Sequence, residues 1–425
     1  ACLRARFFHD NECYEFAQRL NMSQSTFISI ERKNMSTRPR LALISTVYFP
    51  PSHSDVIVTR WLEPLESDRQ FGWPPNGLSK PHEDIASAYI KEFTDQDIGR
   101  EILKKHNVPL YSTVREALTL GGDKLAVDGV ILIGEHGTYP YNEFGQKMYP
   151  RRELFDEIVA VFRESGRSVP IFNDKHLSYD PASAIHMVET AKELGFPLMA
   201  GSSIPICGML EPWQLPDHAP LKEAVCLYYG GSEMYGYHSI ALLQSLVARR
   251  AGGEAGIESV TSYCGDSFWE ADKAGVWPAD LVELALKESI NHEEGDWRRN
   301  ISSPKDADVL MDKWPAAFVF HHSDGFRSIQ LNMNGHIKDW TVATRDTNGK
   351  IYSGCSASAK NGKENFYAHF AMLCAKIDEF MLTGKSPYPI EHYLLTTLAT
   401  DAAVRALFEP GVKIDTPNLA LSYKI

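Results

Sequence analysis

Imidazole and carboxylate side chains follow several short apolar segments in the first half of the sequence. These side chains are His53, Glu135, His136, Asp174 and His176. If the apolar segments are parallel strands, their carboxyl ends share one edge of a sheet, where ligands bind in doubly wound folds. Histidine and carboxylate ligands suit zinc or another divalent first-row metal. The pattern therefore predicts a divalent-metal site, with zinc as the first choice.

Two of the residues near this edge could take part in catalysis. A bound metal would polarise a carbonyl group or lower the pKa of a bound water molecule. Lys175 could then stabilise an oxyanion or exchange a proton, and Glu135 is a second catalytic candidate. A metal-free polar pocket that binds a polyol or an acid is the alternative interpretation of the same residues.

Three further residues are candidates for substrate binding. Arg151 stands at a predicted helix start, where a positive charge opposes the helix dipole, and it could hold an anionic group. Tyr139 lies on the long loop before that helix, and Ser202 directly follows an apolar segment. All three are expected to line the pocket.

Apolar segments and amphipathic stretches alternate at least five times through the first half. This rhythm predicts an α/β protein that begins with a Rossmann-like, doubly wound parallel sheet. Beyond about residue 206, runs joined by tight turns predict an α+β domain with a mostly antiparallel sheet and C-terminal helices that pack back on the core. The predicted boundaries are 35–205 and 206–425, with residues 1–34 as an extension or loosely attached arm.

Composition limits the classes of partner. The 425 residues include 44% hydrophobic and 23% charged residues, and the net charge is −12. An acidic chain without a basic stripe argues against nucleic acid, and no apolar run is long enough for a membrane span. Seven scattered cysteines favour reduced thiols and a cytoplasmic location. A small-molecule substrate is therefore expected.

Four stretches resemble the glucose–fructose oxidoreductase / inositol dehydrogenase (Gfo/Idh/MocA) family. They read VDGVILIG, GRSVPIFNDKHLS, SAIHMVETA and GFPLMAG, and they lie between Val127 and Gly201. In the second half, the segment 230–238 resembles the start of that family's catalytic helix. The resemblance implies a Rossmann-like domain, a second domain with an open sheet, and a homo-oligomer. It also implies that Lys175 and His238 occupy catalytic positions.

The sequence departs from the family at the dinucleotide site. The family's first strand is followed by GxGxxG, whereas residues 45–55 here contain no glycine and include Tyr48, Phe49 and two prolines. Met234 stands where the family has an aspartate four residues before its histidine. These departures argue against NAD(P) as a cofactor.

The sequence therefore favours a non-redox enzyme. The expected activity is that of a metal-assisted hydrolase or lyase acting on a small polar substrate, such as a lactone or a sugar derivative. Two alternatives stay open: an NAD(P)-dependent oxidoreductase of the Gfo/Idh/MocA type, and a non-catalytic small-molecule-binding protein.

Overall fold

The structure is a computed structural model that describes residues 38–304, 313–360 and 367–425. The predicted N-terminal arm at 1–34 lies outside the described residues. The described residues form two sheets, with helices packed against both.

Six parallel strands form the first sheet, in the order β3-β2-β1-β4-β5-β6. They are β1 (Arg40–Ser45), β2 (Asp84–Ile90), β3 (Leu110–Tyr111), β4 (Gly129–Ile133), β5 (Ile171–Asp174) and β6 (Leu198–Gly201). The central strands β1 and β4 are buried on both faces, which explains why they appear in the sequence as unbroken apolar runs. This is the strand order of a Rossmann fold, so the predicted fold of the first half is confirmed.

Helices cover both faces of this sheet. A π-helical turn (Asp55–Thr59) leads into α1 (Arg60–Leu62), followed by α2 (Gly99–Lys105), α3 (Val114–Thr119), α4 (Arg151–Ser165), α5 (Pro181–Leu194) and the short α6 (Ser203–Ile206). Local chemistry sets the ends of α5. The Asp180 carboxylate accepts a hydrogen bond from the N–H of Ser183, Pro181 fits the first turn, and Gly195 ends the helix in a left-handed conformation.

Seven strands form the second sheet, in the order β12-β11-β7-β10-β9-β8-β13. They are β7 (Leu221–Tyr228), β8 (Ile257–Cys264), β9 (Ala316–His322), β10 (Arg327–Asn332), β11 (Thr341–Asp346), β12 (Ile351–Cys355) and β13 (Lys413–Asp415). Only the β7–β10 pair is parallel among these described strands. The predicted, mostly antiparallel second sheet is therefore confirmed.

The remaining helices lie in the second half of the chain. They are α7 (Met234–Val247), α8 (Asp266–Ala274), α9 (Ala279–Glu288), α10 (Trp297–Asn300), α11 (Ala368–Thr383) and α12 (Ile390–Ala406). Helix α12 contacts α5 and β6 on one side and α7 and β8 on the other. Because the C-terminal helices contact both halves, they hold the carboxyl edge of the first sheet against the second. The domain boundary at 205/206 stays a prediction.

Within the described ranges, none of the helices combines the length and the hydropathy that a membrane crossing requires.

Candidate functional site

A cavity of about 500 Å³ lies at the carboxyl edge of the parallel sheet. This volume is in the usual range for small-molecule sites. The described residues that line it come from both halves of the chain: Phe49, Pro51, His53, Glu135, His136, Lys175, Ser203, Ile204, Tyr229, Met234, Tyr235, His238, Asn291, Lys338, Trp340, Ser358, Ala359, Tyr367, His369 and Phe370.

A buried ion cluster forms the floor of this cavity. Glu135 follows β4, and its Oε1 atom lies 3.1 Å from Nζ of Lys175, which follows β5. Its Oε2 atom accepts a hydrogen bond from Arg151, the first residue of α4. Burial opposes ionisation of Glu135, but the two cations outweigh it and hold the pKa of this carboxyl well below its ordinary value. Glu135 is therefore an anion that orients Lys175.

The backbone around the cluster adopts uncommon conformations. His136 and Lys175 have φ values of 65° and 61°, in the left-handed region that non-glycine residues rarely occupy. A Cβ atom on Gly134 would lie 2.6 Å from Cγ of Arg151, so only glycine lets α4 approach this closely. Such strain persists where the surrounding structure holds it, often at functional sites.

Two histidines beside the cluster each have a buried ring nitrogen without a hydrogen-bond partner. Nε2 of His136 and Nδ1 of His176 have no hydrogen-bond partner. Nε2 of His176 lies 3.2 Å from Arg151. Burial lowers the pKa of His136 to about 4, and burial together with Arg151 lowers that of His176 well below its ordinary value. Both rings are therefore neutral near pH 7, and His136 offers an unsatisfied nitrogen at the cavity wall.

His53 belongs to the loop that replaces the glycine turn. Its Nδ1 atom lies 2.5 Å from Oδ2 of Asp174, the last residue of β5. Its ring also contacts those of His136 and Phe370, with centroids 5.4 Å and 5.1 Å away. Asp174 is thus the hydrogen-bond partner of a histidine on the cavity wall.

Two serines after β6 hold two further histidines. Oγ of Ser202 lies 2.5 Å from Nδ1 of His238, and Oγ of Ser203 lies 2.8 Å from Nδ1 of His369. Burial, reinforced by Lys175, lowers the pKa of His238 well below its ordinary value. Burial also lowers the pKa of His369 to about 3. Sequence reasoning missed His369, because it enters from α11 and no strand-end pattern marks it.

An aromatic wall from the second half of the chain was also missed. Tyr235 stacks on Trp340 with ring planes 8° apart, and Tyr229 packs against Trp340 with centroids 4.8 Å apart. Trp340 in turn contacts His238. The turn signals of this region predicted the strands, but nothing in the sequence indicated that these rings line the cavity.

The predicted metal site is wrong. No group of three or more His, Cys, Asp or Glu side chains in the described ranges is arranged to hold a metal ion. The predicted ligands are divided among other partners: Glu135 binds Lys175 and Arg151, and Asp174 binds His53. Two basic side chains already compensate the Glu135 carboxylate, so a divalent cation there would meet like charges.

The predicted substrate-binding residues have other neighbours. Arg151 is buried in the ion cluster, and Ser202 binds His238 and caps α6. Tyr139 packs against Tyr149 with ring centroids 5.8 Å apart. None of the three is among the residues that line the cavity. Lys175, His238 and Glu135 do meet there, and their catalytic roles stay predictions.

Solved structures with this fold are dehydrogenases of the Gfo/Idh/MocA type, the fold that the sequence resemblance predicted. GenD2 from gentamicin A biosynthesis, in complex with NAD, aligns over 90% of this chain and 97% of its own, with 12% identity and a TM-score of 0.54. A putative myo-inositol dehydrogenase from Sinorhizobium meliloti aligns over 89% and 99%, with 12% identity and a TM-score of 0.54. A myo-inositol 2-dehydrogenase from Lactobacillus plantarum aligns over 89% and 99%, with 10% identity and a TM-score of 0.54. At these identities the likeness shows the fold.

No protein-family model matches the sequence, and no curated protein matches it either.

These comparisons overturn the predicted activity and cofactor. The chain shares its fold with dehydrogenases, one of them bound to NAD, so the prediction of a non-redox, zinc-assisted hydrolase or lyase is wrong. The missing glycines after β1 therefore do not exclude NAD(P). The oxidoreductase alternative fits these findings better.

Proposed function

We propose that this protein is an NAD(P)-dependent oxidoreductase that interconverts a hydroxyl and a carbonyl group on a small polar substrate. One observation carries the proposal: a cavity at the carboxyl edge of a Rossmann-ordered sheet holds Lys175, ion-paired to Glu135, together with His238 from the second half of the chain. Dinucleotide folds place their reacting groups at this edge.

The cavity wall suits the nicotinamide end of such a cofactor. A buried nitrogen without a partner is costly unless a ligand satisfies it, and Nε2 of His136 is such an atom. Lys175 supplies a cation beside it, and Phe49 adds an apolar ring. When bound, the nicotinamide would supply hydride transfer.

The loop after β1 leaves more room than its sequence implies. Tyr48 is 1% exposed; its hydroxyl lies 2.9 Å from Oγ1 of Thr59. The Tyr48 side chain packs directly against Gly99, because a Cβ atom on Gly99 would lie 2.8 Å from Cβ of Tyr48. The Asp55 carboxylate accepts a hydrogen bond from Thr59 within its own helix. Tyr48, one of the two bulky residues that argued against a dinucleotide, therefore faces away from the cavity, whereas the other, Phe49, lines it.

Glu92 offers a carboxylate directly after β2. Its N–H donates to the carbonyl of Thr46, and its Oε2 accepts a hydrogen bond from the N–H of Thr138. In dinucleotide-binding sheets, an acidic side chain beyond the phosphate turn binds the adenosine ribose hydroxyls. A carboxylate there would repel the 2′-phosphate of NADP, so we expect a preference for NAD.

Lys175 and His238 would position the reacting oxygen of the substrate. Lys175 is held by Glu135, so it can donate a hydrogen bond without reorganisation and stabilise negative charge as it develops on that oxygen. His238 stays neutral because it is buried, and Ser202 fixes its ring. Its free nitrogen can form one hydrogen bond to a substrate hydroxyl.

The proposal is tested by cofactor titration and a substrate panel. Fluorescence titration of the purified full chain with NADH and NADPH should give saturable binding, tighter for NADH. Incubation with NAD⁺ and a panel of myo-inositol, scyllo-inositol and D-glucose should reduce the cofactor with at least one probe. If neither dinucleotide binds and no probe is oxidised, the oxidoreductase proposal is wrong and a binding protein becomes the better interpretation.

A further inference from the structure

We infer that His53, oriented by Asp174, is the group that exchanges the substrate hydroxyl proton in the reaction proposed above. The inference rests on that proposed function. It assigns the acid–base step to the loop that stands in place of the glycine turn, and it makes Asp174 a positioning residue.

The geometry is that of an oriented base. Asp174 is 1% exposed, and its Oδ2 atom lies 2.5 Å from Nδ1 of His53. A carboxylate on Nδ1 keeps the proton on that atom and leaves the other nitrogen free to accept one, as in Ser-His-Asp triads. His53 lines the cavity, and no described residue forms a hydrogen bond to its Nε2 atom. The lone pair of Nε2 is therefore available to a substrate.

The other histidines of the cavity are poorer proton acceptors. His238 and His369 have serine hydroxyls on Nδ1 where His53 has a carboxylate. A proton gained by either ring would be a buried charge without an anion in contact, which is costly. Burial lowers the pKa of both rings, and that of His136 to about 4. Among the described histidines of the cavity, only His53 has a carboxylate to stabilise its imidazolium form.

The pairing also accounts for the methionine at position 234. An Asp–His pair needs its two members adjacent in space, not in sequence. Asp174 and His53 are 121 residues apart, and they come from the ends of two strands of one sheet. His238 cannot form such a pair with Met234, and the His53–Asp174 pair would take its place.

Oxidation of a secondary alcohol breaks one C–H and one O–H bond. The hydrogen on carbon would leave with both bonding electrons as hydride, which a bound nicotinamide would accept. The hydroxyl proton goes to Nε2 of His53, and the O–H electron pair forms the second bond of the carbonyl. In the reverse direction His53 returns the proton.

Charged and titratable groups on every neighbouring element face His53. They are Asp174, Glu135, His136, Lys175, His238 and His369. Since these histidines stay neutral and Lys175 is paired with Glu135, the net charge nearest His53 is that of Asp174. Asp174 is therefore the anion that stabilises His53 when the ring accepts the substrate proton.

The first experiment observes the hydrogen bond without turnover. Proton NMR of the full chain labelled with ¹⁵N-histidine should show a low-field Nδ1–H resonance that disappears in both His53→Gln and Asp174→Asn. The matched control is His82→Gln. His82 forms the same pair, with Nδ1 2.7 Å from Oδ2 of Asp378, but it lies outside the cavity. His82→Gln should remove a separate resonance and leave that of His53 in place.

The second experiment measures turnover with NAD⁺ and the panel probe that the wild type oxidises. His53→Gln should lower kcat by about 10²-fold or more, a typical effect of losing a general base. Asp174→Asn should lower kcat more than it raises KM, while His82→Gln leaves both unchanged. If no low-field resonance is lost in His53→Gln, or if the kcat of this variant is unchanged, the inference is wrong.

The two proposals fail in different ways. If NADH binds and a probe is oxidised equally well by wild type and His53→Gln, the role of His53 is wrong and the oxidoreductase stands. If the wild type neither binds a dinucleotide nor oxidises a probe, the proposed function is wrong, and the role of His53 in alcohol oxidation is wrong with it.

Discussion

Two buried clusters in this protein use the same residue types, arginine, glutamate and histidine, but they differ in how completely their polar atoms are paired. On the second sheet, both carboxylate oxygens of Glu254 accept hydrogen bonds, from Arg250, His322, Gln244 and the N–H of Gly256. The remaining nitrogen of His322 lies 2.9 Å from Oγ of Ser328. We call this group the closed cluster.

The cluster under the cavity, formed by Glu135, Arg151, Lys175, His136 and His176, is open by comparison. Nε of Arg151, Nε2 of His136 and Nδ1 of His176 have no hydrogen-bond partner. The closed cluster is almost fully shielded from solvent, and so is the open cluster apart from His136, which is partly exposed. Buried polar atoms are paired in most proteins, so a cluster that leaves three unpaired beside a cavity is arranged for something other than stability.

The largest effect is expected from breaking the closed cluster. Glu254→Ala leaves Arg250 with only Asp324 as an acidic partner and leaves His322 without one. Removing one member of a buried ion pair costs about 3–5 kcal/mol. Urea denaturation should show a loss of this size, with NADH affinity unchanged under conditions where the variant is folded. A loss below about 1 kcal/mol would mean that this cluster is not the stability element that its pairing indicates.

The open cluster should respond in activity instead. Lys175→Met leaves Glu135 paired with Arg151, so the unfolding free energy should change by only about 1 kcal/mol. Loss of one preorganised donor lowers kcat by about 10²–10³-fold. The assay is oxidation of the panel probe with NAD⁺. The exposed Lys192, paired with Glu391, supplies the control Lys192→Met, which should change neither quantity. Full activity in Lys175→Met would remove this lysine from the site.

A third buried carboxyl shows that poor pairing alone does not identify a site. Glu83 lies at the opposite edge of the sheet, where burial and the neighbouring Asp378 raise its pKa from 4.5 to about 9. The folded protein keeps this proton near neutral pH while the unfolded chain releases it, so stability falls as pH rises from about 4.5 towards about 9.

Glu83→Gln removes that dependence. Between pH 5 and pH 8, the unfolding free energy of wild type should fall by about 2 kcal/mol more than that of the variant. One group can contribute at most about 1.4 kcal/mol per pH unit, so this loss over the interval is well within the limit. Denaturation at both pH values measures the difference. Parallel curves for the two proteins would show that Glu83 is ionised in the folded state.

Much of this arrangement could be predicted from the sequence. Strands buried on both faces appear as apolar runs, and the residues that follow parallel strands meet at one edge. Lys175 and His136 therefore reach the cavity as expected. The partners could not be predicted, because His53 and Asp174 are 121 residues apart, and Arg151 reaches Glu135 from a helix whose approach depends on Gly134.

The wrong cofactor was predicted because these side-chain partners could not be predicted. Histidine and carboxylate side chains on one edge fit a metal site by type, but metal ligation requires them to point at one atom. Nothing in the sequence indicates that Glu135 and Asp174 each bind a basic side chain. It also could not show that Tyr48 turns into the core next to Gly99 instead of covering the dinucleotide path.

The smallest effect is expected from replacing His136, because its unpaired buried nitrogen destabilises the open cluster. His136→Phe removes the buried nitrogen that lacks a partner and should raise the unfolding free energy by about 1 kcal/mol, while NADH binds more weakly. The pKa of His136 is lowered to about 4, so the folded ring stays neutral while the unfolded one gains a proton below about 6.5. Wild type therefore loses stability as pH falls through that window, and the gain in His136→Phe should be larger at about pH 5 than at about pH 8.

His218 is exposed and has nearly the same left-handed backbone, with φ of 63°, so His218→Phe controls for the backbone. An equal gain in both variants, or unchanged NADH affinity in His136→Phe, would show that the unpaired nitrogen of the open cluster is not kept for a ligand.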